Sequence, residues 1–371
     1  MRYVAHPNPD GLLYTLMIRA CASPISKAQS SEPEKALDLW TEMTVDHNIK
    51  PTLGSYNAVI LACAKSGEKT YINEAFRLTK QMLDSHRDAR GFSAFRPDRK
   101  TFSALLEGTK RIGDLARARW ILAEIVRGGQ ATGLHPNTVD VDIDAEIMTH
   151  LFHTYAAYTP PFIRAATKIV PENESGSLSV SPNANASEGS TVHNSEPTVE
   201  HHSSISVTVE EEDPSFARIP PQSHAEVIRE VKALFIRILR DQERVPAPSP
   251  SYSSSSAIPD RKFSQVELSP RLIGAYLSVF YKHASLEIAQ KLFNTIFLEL
   301  NVIRIPRLLV EALERCSNSR KGPEREIALR FSDEVWGQWT EMENSARESG
   351  KPIPARMVER AHVARIRLLA M

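Results

Sequence analysis

An internal repeat is the sequence feature that most constrains the fold of this chain. Stretches beginning at Pro9, Pro51 and Pro97 share one pattern: proline, an aromatic residue five positions on, a small polar residue, and an aliphatic residue four positions after the aromatic. Residues four apart lie on one face of a helix, and proline cannot continue a preceding helix. Each stretch therefore predicts an amphipathic helix that begins after a turn.

A second amphipathic segment follows each of these stretches, beginning near Glu34, Glu74 and Ala116. Gly67 and Gly113 stand between the first and second segments of their units. Glycine at the end of a helix permits a left-handed cap, so each unit predicts a helical hairpin. Because the unit recurs along the chain, we predict an all-α fold, a solenoid of about six hairpins.

The repeat resembles that of the pentatricopeptide repeat family. Ser-Tyr-Asn-Ala-Val-Ile at residues 55–60, Lys-Ser-Gly at 65–67 and the closing Ile-Lys-Pro at 49–51 are close matches to the family pattern. The tetratricopeptide repeat is the nearest alternative, but it lacks the Pro-Asp that precedes the aromatic residue. The resemblance covers residues 7–159, where we expect three repeats and the first helix of a fourth.

The remaining chain predicts a continuation of the repeats after an interruption. Residues 160–222 hold three basic and nine acidic residues and few large apolar ones, so we expect a disordered acidic insertion there. Residues 223–371 predict degenerate helical repeats, with a second disordered loop near residues 245–261. The helical segments expected after residue 140 are 141–158, 225–244, 268–282, 286–300, 305–316, 324–347 and 355–369.

Composition and motifs exclude several classes of protein. Equal numbers of basic and acidic residues, 45 of each, exclude a polycation that binds by bulk charge alone. The three cysteines are widely spaced, which excludes a disulfide scaffold and a zinc ribbon. The sequence has no phosphate-binding glycine loop and no clustered metal ligands. We therefore expect neither an enzyme nor a cofactor or metal site, and no membrane span.

The resemblance implies which residues meet a ligand. In this family the first helices of the hairpins bind single-stranded RNA, about one base per repeat, through two positions in each unit. The candidate base-reading residues are therefore Thr15, Thr52, Asn57, Asp98, Ser103 and Asn137. In the family, Asn with Asp is associated with uracil and Ser with Asn with adenine. The second position of the unit, usually aliphatic in the family, is Leu12, Gly54 and Lys100 here, so only the first unit conforms.

The functional expectation is a single-stranded RNA-binding factor that acts in RNA maturation, stability or translation. We expect its basic side chains Arg99 and Lys100 to contact the RNA backbone. A mitochondrial location is implied by the resemblance alone, since the chain shows no targeting leader. The chain opens at a repeat boundary, as a truncated sequence would. The alternative is a helical scaffold that binds protein, such as a mitoribosome-associated or assembly factor. A basic groove along the first helices favours RNA, whereas an apolar or acidic groove favours a peptide.

Overall fold

A computed structural model describes residues 9–23, 31–85, 93–128, 141–161, 219–243, 262–319 and 322–370. Within these ranges the chain forms thirteen α-helices and no β-strand, which confirms the all-α prediction. Asn137, the loop near 245–261 and nearly all of the predicted acidic insertion lie outside the described residues. The helices are α1 (Gly11–Cys21), α2 (Pro33–Thr41), α3 (Leu53–Lys65), α4 (Lys69–Asp84), α5 (Arg99–Ile112), α6 (Leu115–Gly128), α7 (Ala145–Ala157), α8 (His224–Glu243), α9 (Pro270–His283), α10 (Leu286–Glu299), α11 (Pro306–Ser317), α12 (Pro323–Glu348) and α13 (Ala355–Leu369).

The odd-numbered helices, called first helices below, pack side by side in chain order. Each of them contacts the next first helix and, apart from α13, the even-numbered second helix that follows it. A π-helical turn, Glu42–Asp46, extends α2 before the chain returns to α3. The described residues thus alternate between first helices and second helices from α1 to α13.

Capping residues explain why the first helices begin where they do. The side chains of Asp10, Asp98 and Asp144 each accept a hydrogen bond from the third backbone N–H of their helix. Thr52 does the same for α3 and completes a capping box with Ser55. The first four N–H groups of a helix lack partners within it, so these short polar side chains fix the starts of α1, α3, α5 and α7 in one register.

The repeated aromatic residues occupy equivalent buried places. Tyr14, Tyr56 and Phe102 are at most 5% exposed, which confirms the prediction that the repeated stripe belongs to the core. All three cysteines are buried as well. Burial raises the pKa of the Cys63 and Cys316 thiols to about 12, so neither is a ready nucleophile.

Glycine ends two of the first helices in the predicted manner. Gly67 and Gly113 have φ angles of 81° and 68°, a left-handed conformation that residues with a side chain rarely adopt. A Cβ atom at Gly113 would also lie 2.7 Å from the carbonyl oxygen of Ala157 at the end of α7. Gly113 therefore allows the α5–α6 turn to approach the neighbouring hairpin.

A buried polar cluster joins the helices on either side of residues 162–218. Glu230 of α8 accepts hydrogen bonds from Tyr155 Oη of α7 and from Arg119 Nε of α6, both at 2.7 Å. Tyr158 Oη donates to the carbonyl oxygen of Pro221 at 2.9 Å. The chain after this segment is thereby bonded directly to the repeats before it.

None of the helices in the described ranges has the length and apolar character needed to cross a membrane.

Candidate functional site

A groove of about 760 Å³ runs along the first helices and is lined by residues of α1, α3, α5, α7 and α9. Its lining contains five basic side chains and three acidic ones. The charged lining residues are Arg19, Lys65, Arg99, Lys100, Arg271, Asp98, Glu107 and Glu146. The charged side chains of the groove therefore have a positive balance, whereas the larger part of its lining surface is apolar and includes Leu53 and Leu61.

Two candidate base-reading residues, Asn57 and Asp98, meet in this groove. Asn57 Nδ2 donates to Asp98 Oδ1 at 3.0 Å, and Thr101 Oγ1 donates to Asn57 Oδ1 at 2.7 Å. Asp98 Oδ1 also accepts from the backbone N–H of Thr101 at 2.8 Å and lies 2.9 Å from Thr101 Oγ1, whose single proton goes to the nearer Asn57 Oδ1. The same contacts that cap α5 thus fix the orientation of both side chains across the α3–α5 boundary.

The other candidate base-reading residues lie in different surroundings. Thr15 Oγ1 donates to the carbonyl oxygen of Gly11 within its own helix. Thr52 is exposed and caps α3. Ser103 lines the groove, and its Oγ has no hydrogen-bond partner among the described residues. Only Asn57, Asp98 and Ser103 of the predicted set therefore come together in the groove.

The two candidate backbone-contacting residues differ in their availability to a ligand. Arg99 forms ion pairs with Asp144 and with Glu146, the latter at 3.0 Å. Lys100 is exposed and makes no ion pair with any described residue. Lys100 therefore offers its charge to the groove more freely than Arg99.

Sequence reasoning missed a half-buried charged cluster at one side of the groove. Lys110 Nζ lies 2.5 Å from Glu107 Oε2 and 3.2 Å from His150 Nδ1. Burial, aided by the charge of Lys110, lowers the pKa of His150 to about 4, so this imidazole is neutral at pH 7. Burial opposes ionisation of Glu107, but Lys110, His150 and Arg111 together hold its pKa below the usual range. Glu107 thus pairs with both Lys110 and Arg111, which leaves one net positive charge beside a neutral imidazole.

Arg19 and Arg271 were also missed, although both line the groove. Both side chains are exposed and form no ion pair within the described ranges. Arg271 is the second residue after the cap of its helix, as Lys100 is in α5. Counting positions from the helix caps would therefore have identified it. The α9 hairpin matches the repeat pattern too weakly for that register to be read from sequence alone.

The described residues include no group of three or more His, Cys, Asp or Glu side chains able to hold a metal ion. No protein-family model matches the sequence, and no curated protein matches it either.

Proposed function

We propose that the protein is a helical-repeat solenoid of the pentatricopeptide repeat type that binds single-stranded RNA along its first-helix groove. The proposal rests on one observation: basic side chains without ion-pair partners line the same groove as the hydrogen-bonded Asn57–Asp98 pair. Arg19, Lys100 and Arg271 line one groove, are exposed, and lack ion-pair partners in the described part of the chain. Positive charge of this kind attracts a phosphodiester backbone irrespective of base.

The Asn57–Asp98 pair supports recognition of a base edge. Asp98 Oδ1 receives hydrogen bonds from Asn57 Nδ2 and from the Thr101 backbone N–H, whereas Oδ2 accepts none from the described residues. Asn57 Nδ2 carries two N–H groups and uses one of them on Asp98. One donor and one acceptor therefore stay available side by side, which suits a base that presents a C=O next to an N–H, as uracil does.

The biological role follows from the resemblance stated above. A single-stranded RNA-binding repeat protein of this type would act in maturation, stability or translation of mitochondrial transcripts. Its neutral overall charge fits a ligand held by one surface rather than by the whole molecule.

A protein-binding scaffold, such as one associated with the mitoribosome, stays the second candidate. Leu53 and Leu61 give the groove an apolar strip, and apolar contact is what a bound peptide uses for affinity. The ion pair between Arg99 and Glu146 also removes one positive charge from the groove.

Binding of the full-length protein to short single-stranded RNAs of varied sequence, at two salt concentrations, tests the proposal. We expect affinity for single strands that falls as salt rises, with a smaller response in Lys100→Ala than in the wild type. Lys80→Ala is the matched control, because Lys80 is exposed on the second helix α4. Absence of RNA binding by the wild type, or equal effects of the two variants, would contradict the proposal.

A further inference from the structure

The helix caps define a register in which basic residues recur. Counted from the cap, the second residue of each first helix is, in order from α1 to α13, Leu12, Gly54, Lys100, Glu146, Arg271, Arg307 and Arg356. The last three helices thus all place arginine there, within the sequences Pro-Arg-Leu-Ile, Pro-Arg-Leu-Leu and Pro-Ala-Arg-Met. We call Arg271, Arg307 and Arg356 the arginine row.

The arginine row continues the side of the molecule that forms the groove. Four residues at this position (Gly54, Lys100, Glu146 and Arg271) line the groove itself. The helices that carry the row are in direct contact. A Cβ atom at Gly274 of α9 would lie 2.5 Å from Leu308 Cδ2 of α11. Arg360 of α13 donates two hydrogen bonds to Glu314 of α11, at 2.8 and 2.9 Å.

The arginine side chains are available to a ligand. Arg271 and Arg356 are exposed and have no ion pair within the described ranges. Arg307 pairs with Glu311 one turn further on, and its side chain is 53% exposed. Such surface pairs are weak, so a phosphate can displace Glu311 at little cost.

Charge is segregated between the two sets of helices in this half of the chain. First helices α9, α11 and α13 contain eight basic and three acidic residues, a net charge of +5. Second helices α10 and α12 contain four basic and nine acidic residues, a net charge of −5. Solubility alone does not require positive and negative charges to lie on separate sets of helices. The separation therefore favours an anionic partner on the first-helix side.

The position equivalent to Asn57 has no polar side chain in α9 or α11. It is Gly274 in α9, which has no side chain, and Val310 in α11, which is fully buried, whereas in α13 it is the exposed Glu359. In α9 and α11, therefore, no side chain at this position can bond to a base edge. The arginine row, by contrast, offers three side chains to phosphates.

We infer that the arginine row binds the phosphodiester backbone of a single-stranded RNA without regard to sequence, as an extension of the groove. The inference rests on the proposed function. The N-terminal ends of the same helices add partial positive charge beside the row, which strengthens anion binding there. Full affinity therefore requires an RNA strand longer than the groove. One base of the strand contacts Asn57 and Asp98, and the arginine row binds the phosphates further along.

The test compares two triple variants of the full-length protein with equal loss of charge. The first is Arg271→Gln, Arg307→Gln and Arg356→Gln. The control is Lys80→Gln, Arg240→Gln and Arg330→Gln, which removes three exposed charges from the second helices α4, α8 and α12. Binding to a 20-nucleotide and a 4-nucleotide oligouridine is measured across salt concentrations, and unfolding curves verify that both variants fold.

Each phosphate contact contributes about −0.7 to the slope of log K against log salt for single strands. Loss of the row should therefore reduce the magnitude of the slope by about 2 and weaken 20-mer binding about 100-fold at 0.1 M salt. The 4-mer should bind the row variant nearly as well as the wild type. The control triple should change 20-mer affinity by less than about threefold.

The outcomes separate this inference from the proposed function. If the wild type binds RNA but both triple variants weaken it equally, the arginine row is overturned while RNA binding stands. If the wild type binds neither oligouridine, both proposals fall. If polyglutamate binds the row as tightly as RNA does, with equal loss in the row variant, the partner of the row is an acidic protein segment and the RNA assignment is wrong.

Discussion

Asp98→Asn separates the two roles of one side chain, capping of α5 and presentation of an acceptor to the groove. Asp98 Oδ1 accepts from the Thr101 backbone N–H at 2.8 Å and from Asn57 Nδ2 at 3.0 Å. Asparagine keeps one oxygen that can accept both hydrogen bonds, and it caps helices about as well as aspartate. The free Oδ2 acceptor, however, becomes an NH₂ donor.

We expect Asp98→Asn to change the free energy of unfolding by less than about 0.5 kcal/mol. Asp98→Ala removes the cap and the acceptor for Asn57, so it should cost about 1–3 kcal/mol. Against RNA, Asp98→Asn should shift the preference at one base by about 1–3 kcal/mol, since a base edge that donated to Oδ2 now meets a donor. Overall affinity should change little, because phosphate contacts supply most of it.

Urea unfolding of wild type, Asp98→Asn and Asp98→Ala measures the first effect, and competition among four strands that differ at one base measures the second. Equal destabilisation by the two variants would refute the capping argument. Unchanged base preference in Asp98→Asn, with stability preserved, would refute the reading argument and leave Asp98 as a cap alone.

Four further predictions concern the fold. Gly113→Ala should destabilise by at least about 1 kcal/mol in urea unfolding, from its left-handed φ and the contact with Ala157. Glu230→Ala should cost about 2–4 kcal/mol, because two buried donors lose their acceptor. Stability should fall as pH drops from about 6.5 to 4, because burial lowers the pKa of His150 and His283 to about 4 and the unfolded chain takes up these protons first. Deletion of residues 172–215 should leave the melting temperature unchanged by calorimetry, since the segment supplies few apolar side chains.

The hairpin pattern was readable from sequence because it depends on local chemistry. Proline, a capping residue, an aromatic residue five positions on and a closing glycine each act within one helix or turn, and Tyr56 and Gly113 occupy the predicted places. The helices of the later segments could still be predicted, since α9, α10 and α11 keep the apolar period even without the aromatic residue.

The site was only partly readable, because its character depends on contacts between helices. Asn57 and Asp98 were predicted as neighbours, but their mutual hydrogen bond arises from the packing of α3 against α5. The neutralisation of Arg99 by Asp144 and Glu146 joins residues more than 40 positions apart. No pattern in the sequence distinguishes Arg99 from Lys100, yet the fold leaves only Lys100 without an ion pair.

Photo-crosslinking of the full-length protein to a 4-thiouridine-containing single-stranded RNA, with the attachment sites mapped by mass spectrometry, tests the central claim most directly. The account predicts attachment within residues 53–61 and 98–104, the parts of α3 and α5 that line the groove. Attachment should be lost in competition with unlabelled single strand and retained in competition with duplex RNA. Attachment confined to the second helices, or no attachment above that of an unrelated protein, would contradict the account.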